Sequence, residues 1–145
     1  MTAFHFRLQK VLEWRRAQLE LEEIQYRRQL AALAELDRRQ AEVAEAASAA
    51  ERQVRAWNPL AGGELEALGE FRLHVKQQER EMAASRIERC QQLERQHRLL
   101  LEAGRRLRLL ERLQQRRWTE WRSARDKELE DLASESYLAK WNRRP

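Results

Sequence analysis

Hydrophobic residues along the first third of the chain recur in alternating steps of four and three. Starting at Leu8 the steps reach Leu12, Arg15, Leu19, Glu22, Tyr26, Gln29, Leu33, Leu36, Gln40, Val43, Ala47, Ala50, Val54 and Trp57. Eleven of these fifteen positions are apolar once the alanines, Tyr26 and Trp57 are counted. The intervening positions are almost all charged or alanine. A narrow apolar stripe held at a period near 3.5 is the signature of a left-handed coiled coil. It predicts a first helix over about residues 4–56, starting between Thr2 and Phe6. Ala44, Ala46, Ala47, Ala49 and Ala50 make its last third thin enough for close helix approach.

The pattern breaks at Trp57-Asn58-Pro59-Leu60-Ala61-Gly62-Gly63. Proline lacks an N–H and clashes with the preceding turn, and paired glycines carry the largest backbone entropy, so residues 57–63 are expected to form a turn. A second helix is expected over about residues 64–139, with Glu64 and Glu66 placed where negative charge favours a helix start. Its stripe is less regular. Leu68, Phe71, Val75 and Met82 hold one phase, and Ile87, Cys90, Leu93, Leu100, Leu107 and Leu110 continue after a shift. Trp118, Trp121, Leu129 and Leu132 follow. Such slips are what stutters look like in a coiled-coil sequence.

The expected fold is therefore all-α, a single unit over residues 1–145. Two long helices form an antiparallel coiled-coil hairpin with an unpaired C-terminal helical extension. Folding back around residue 61 sets residue i beside about 122 minus i, at a rise of about 1.5 Å per residue. That register brings Phe4 and Phe6 near Trp118, with Trp121 about one turn further, and predicts an aromatic clamp on the open end. It also leaves residues 120–145 without a pairing segment, although Trp121, Leu129, Leu132, Tyr137, Leu138 and Trp141 make them more apolar than a solvated tail requires. An exposed apolar stripe of that kind reads as a partner-binding helix.

Composition excludes more than it selects. The 145 residues are 37% charged with a mean hydropathy of -0.91, and they are rich in Ala, Leu, Glu, Arg and Gln rather than Gly, Pro or Ser. That favours long helix over disorder. The longest uninterrupted apolar run, Leu30 to Ala34, is far short of a bilayer span, and the first dozen residues lack the apolar core of a leader peptide. A cytoplasmic location is expected, with at most peripheral contact with a membrane through the Phe4, Phe6, Leu8, Val11 and Leu12 stripe. One cysteine, Cys90, excludes an internal disulfide framework.

No catalytic chemistry is evident. His5, His74 and His97 lie far apart in sequence, and no Cys or His pair has ligand spacing for a metal. A phosphate-binding glycine loop, a nucleophile elbow and a zinc-protease signature are all absent from the sequence. The chain is expected to be no enzyme and to need no cofactor or metal. Charge says more. Between Arg86 and Arg125 there are twelve arginines and five glutamates, a local excess larger than the net +5 of the whole chain. Arg105, Arg106 and Arg108 stand at its centre. The plain reading is a solvated face of weak Glu–Arg pairs. The functional reading is a basic surface meeting acidic protein loops, where arginine suits bidentate carboxylate contacts. Nucleic acid is disfavoured, because no recognised binding motif accompanies the charge.

The opening Phe4-His-Phe-Arg-Leu-Gln-Lys-Val-Leu12-Glu-Trp-Arg15 resembles the F-x-F-x-L-x-x-V-L-x-x-R start of the flagellar export protein FliJ family. Chain length, a glycine-bearing turn before the midpoint, the Leu68-Gly-Glu-Phe71 stretch and the Leu129-Glu-Asp-Leu132-Ala run are similar too. The resemblance implies an antiparallel helical pair like the central stalk, or gamma subunit, of rotary ATPases. It implies a part of the flagellar type III export apparatus, at the cytoplasmic side of the cell membrane. Proteins of that family insert into the hexameric export ATPase, contact the cytoplasmic domain of the export gate, and are described as escorting export chaperones. On this resemblance Phe4, Phe6, Trp118 and Trp121 match the end that enters the ATPase ring, and Phe71 and Val75 match the face associated with the gate. Two other readings remain open: a stalk of a virulence type III secretion system, and a structural coiled-coil dimer without an ATPase partner.

Overall fold

A computed structural model describes residues 2–57 and 62–144. Two long helices pack against each other: α1 spans Gln9–Arg55 and α2 spans Gly62–Asn142. Among the described residues there is no strand. The ends obey the helix dipole, with Arg52 and Arg55 in the last turn of α1, Glu64 in the first turn of α2 and Lys140 in its last. No helix is long and apolar enough to cross a membrane among the described residues.

The stripe read from the sequence is the face that α1 buries. All fourteen positions from Leu8 to Val54 in the four-three series are buried or half-buried, including the polar Arg15, Glu22, Gln29 and Gln40. Trp57, the fifteenth, is 48% exposed. On α2 the half-buried positions include Leu68, Val75, Met82, Cys90, Leu93, Leu100, Leu110 and Trp118, with Leu107 buried. The phase shift lies where expected, but Ile87 is not part of the seam. It is 63% exposed, and every residue from Ala83 to Arg89 is exposed with it. At this level Arg86 reaches across instead, donating from Nε to Asp37 Oδ1 at 2.8 Å.

Contacts group the chain into two units, Met1–Glu20 with Leu101–Pro145, and Leu21–Leu100. In the first, Gln114 Nε2 donates to Gln9 Oε1 at 2.9 Å. In the second, Arg86 pairs with Asp37 and Arg72 with Glu51, the latter at 2.7 Å. Each of these three pairs has residue numbers adding to 123, within one residue of the register deduced from the hairpin geometry.

Three boundaries differ from the sequence expectation. The first helix begins at Gln9, not between Thr2 and Phe6. Residues two apart on a helix point about 200° apart, so a helical start would turn Phe4 and Phe6 to opposite sides. Outside the helix both rings reach α2. The second helix starts at Gly62 rather than at 64, because the first N–H groups of a helix are unpaired anyway and glycine is tolerated there. It also continues to Asn142. The middle of the expected turn, 58–61, falls outside the described residues.

Candidate functional site

The buried side chains among the described residues all lie in the first unit. Its core is Phe6, Leu12 and Leu107, with Phe4, Leu8, Leu19, Leu110 and Leu113 half-buried around it. Leu12 is completely buried. The non-helical segment before α1 is anchored by backbone bonds as well, Gln9 N donating to Phe6 O at 3.1 Å and Leu12 N to Leu8 O at 2.9 Å. Phe4 lies over the side of Trp121, ring centres 5.8 Å apart and planes at 54°. Edge-tilted pairs at this distance suit the ring quadrupoles. Phe4 also lines a shallow cleft with Gln114, Gln115 and Trp118. Phe6 points inward to Leu12 and Leu107 rather than joining the tryptophans. The expected aromatic cluster thus divides between a buried anchor and a partly exposed surface.

Beside this segment runs a cleft of about 800 Å³, lined by Phe4, His5, Phe6, Arg117, Glu120 and Trp121 among others. Arg117 and Glu120 form a surface ion pair at 3.4 Å. Two further arginines cover the tryptophan rings: Arg122 lies 5.2 Å from the Trp118 centre and Arg125 5.4 Å from Trp121. Sequence reading missed these stacks, although the four-residue spacing that produces them on a helix was present.

Arg105, Arg106 and Arg108 are all exposed on α2 in the same unit. Arg106 pairs with Glu102 at 2.6 Å, and Arg108 Nε donates to the Gly104 carbonyl at 3.3 Å. Arg105 has no ion-pair partner among the described residues. The helix places Arg105, Arg108, Arg112 and Arg116 on one exposed face, at steps of three, four and four. None of these four is in an ion pair among the described residues, and Arg108 is hydrogen-bonded to a backbone carbonyl. Arg106 lies off it.

Phe71 and Val75 belong to the second unit. Val75 is half-buried, and Phe71 is 36% exposed. They line a groove of about 340 Å³ together with Ala44, Ala47 and Ser48. The small side chains of α1 leave the room for it. Gln78 and Met82 follow at half-buried positions.

Polar groups in the seam of the second unit have specific partners. Gln96 Nε2 donates to the carboxylate of Glu22. Tyr26 and His97 approach to 5.6 Å between ring centres. Gln29 Oε1 is buried and accepts no hydrogen bond. Cys90 is half-buried, with the Arg86 Nη1 group 3.9 Å from its sulfur. On α1 the Arg38 fork holds Glu35 from Nε and Nη2 at 3.0 and 2.6 Å. That hydrogen bonding keeps the Glu35 carboxyl below its ordinary range. No group of three or more His, Cys, Asp or Glu side chains arranged to hold a metal occurs among the described residues.

Comparison with protein-family models, with curated proteins and with solved structures finds no match for this chain.

Proposed function

We propose that this protein is a non-enzymatic stalk of a flagellar type III export apparatus, binding the hexameric export ATPase through its paired ends. The observation that carries the reading is the N-terminal segment. The two phenylalanines of its F-x-F start fasten a non-helical strap onto α2, Phe6 into the core and Phe4 against Trp121. A stalk needs paired termini that do not fray under load, and the strap supplies this. The arginine face of Arg105, Arg108, Arg112 and Arg116 then meets acidic loops of the ATPase ring, with long-range attraction speeding encounter. The groove at Phe71 and Val75 is the candidate contact for the export gate.

The test is co-purification with the export ATPase of the same organism, joined to an assay of its ATP hydrolysis. Binding at low salt with stimulated hydrolysis is the expected result. No binding at low ionic strength removes the ATPase from the reading.

A further inference from the structure

We propose that the C-terminal extension of α2 is a homodimerisation helix, pairing antiparallel with the same segment of a second copy. The register of 123 sets residue 121 opposite Thr2, so nothing in α1 faces the chain beyond it. Every residue from Arg122 to Arg144 is exposed. Large apolar side chains are nevertheless present, with Leu129 48%, Tyr137 65% and Trp141 61% exposed. Leu129, Ala133, Tyr137 and Trp141 follow each other at steps of four and form one ridge along the helix. Near its end the rings of Tyr137 and Trp141 stack with centres 6.5 Å apart.

The charges identify the occupant. Past Arg122 and Arg125, which lie over Trp118 and Trp121, Asp126, Glu128, Glu130, Asp131 and Glu135 stand against Lys127 alone, and Lys140, Arg143 and Arg144 follow at the far end. None of these groups is in an ion pair among the described residues. A helix acidic at one end and basic at the other attracts its own copy only when the two run in opposite directions. The apolar residues obey the same symmetry. Counted outward from Glu135, Ala133 matches Tyr137, Leu132 matches Leu138, and Leu129 matches Trp141. Glu130 matches Lys140 and Asp126 matches Arg144, both opposite in sign, against one like-charged match, Lys127 with Arg143.

A two-fold axis at Glu135 therefore sets the ridge of one copy on the ridge of the other and forms the Glu130–Lys140 pair twice, as an isologous interface requires. Four helical turns make a small interface, so the dimer is reversible, with dissociation on the order of 10 μM. The pairing does not depend on the stalk reading: a chain that ignores the export ATPase would dimerise all the same.

Sedimentation equilibrium of the full chain under reducing conditions, which excludes disulfide dimers through Cys90, tests the proposal. Average mass should rise from monomer to dimer over about 1–200 μM. Glu130→Lys alone and Lys140→Glu alone should each weaken dimerisation about tenfold or more. Mixed one to one, these two variants should form a heterodimer about as tightly as the unaltered chain, because both 130–140 pairs are again opposite in sign. The sites are exposed, and unchanged far-UV circular dichroism verifies that helix content is kept. A chain that stays monomeric up to 200 μM overturns the proposal, as does a mixture that associates no better than its components.

Discussion

Phe4 and Trp121 meet as tilted rings 5.8 Å apart, and through them a segment with no helix of its own is held against α2. An aromatic pair of this geometry contributes about 0.5–1.5 kcal/mol beyond its buried area. Phe4→Ala should leave helix content unchanged while releasing the first residues. The expected readouts are faster cleavage by protease before Gln9 and a red shift of tryptophan emission. Unchanged cleavage would show that Phe6 alone holds the strap.

Leu12 carries more weight than any other seam residue, being completely buried between Phe6 and Leu107. Leu12→Ala should destabilise by about 2–4 kcal/mol, from lost transfer energy plus the cavity left behind. Leu21→Ala, at a position 54% exposed two turns along, should cost less than about 1 kcal/mol. Urea unfolding of the two variants measures the difference.

Gln29 is a local cost in the seam, a buried acceptor with nothing to accept from. Leaving such a group unsatisfied costs about 1–3 kcal/mol. Gln29→Leu should therefore stabilise the chain by about 1 kcal/mol, raising the thermal midpoint. A fall in that midpoint would mean that Gln29 is satisfied in solution.

Gly104 sits within α2 facing Leu19, whose Cδ1 would lie 3.9 Å from an added Cβ. This is ordinary van der Waals contact, so a methyl group fits without displacement. Gly104→Ala should stabilise by close to the helix-propensity difference, about 1 kcal/mol. Differential scanning calorimetry is the direct measurement.

Reversing Arg105, Arg108 and Arg112 to Glu tests the basic face. If this face meets an acidic partner surface, association with the export ATPase should weaken at least tenfold and lose most of its salt dependence. Binding titrations at two ionic strengths would show it. Affinity unchanged at low salt would return these arginines to the role of a solvated surface.

The seam of α1 was legible because a period-3.5 pattern reports burial almost directly when each helix has a single partner. Even Glu22, Gln29 and Gln40 could be placed by position alone, though what each polar group bonds to could not. The Gln96–Glu22 hydrogen bond depends on a residue 74 positions away. Ile87 does not join the seam because an apolar residue near a phase slip fits two registers, and at this level the helices are linked by the Arg86–Asp37 pair. The start of α1 was missed for a different reason. Helix propensity does not decide residues 4–8, where Phe4, His5 and Phe6 are weaker helix formers than Arg7 and Leu8, and the burial of Phe6 and the Phe4–Trp121 contact are not local.

Only Phe6, Leu12 and Leu107 are buried among the described residues, and of these Leu12 alone completely. Most positions are thus free of the packing constraint that fixes identity in a globular core. The fold demands small or apolar side chains on one narrow stripe, and little elsewhere. Such a chain can drift far in sequence while keeping its architecture, acquiring or discarding binding surfaces one exposed residue at a time without passing through an unfolded ancestor.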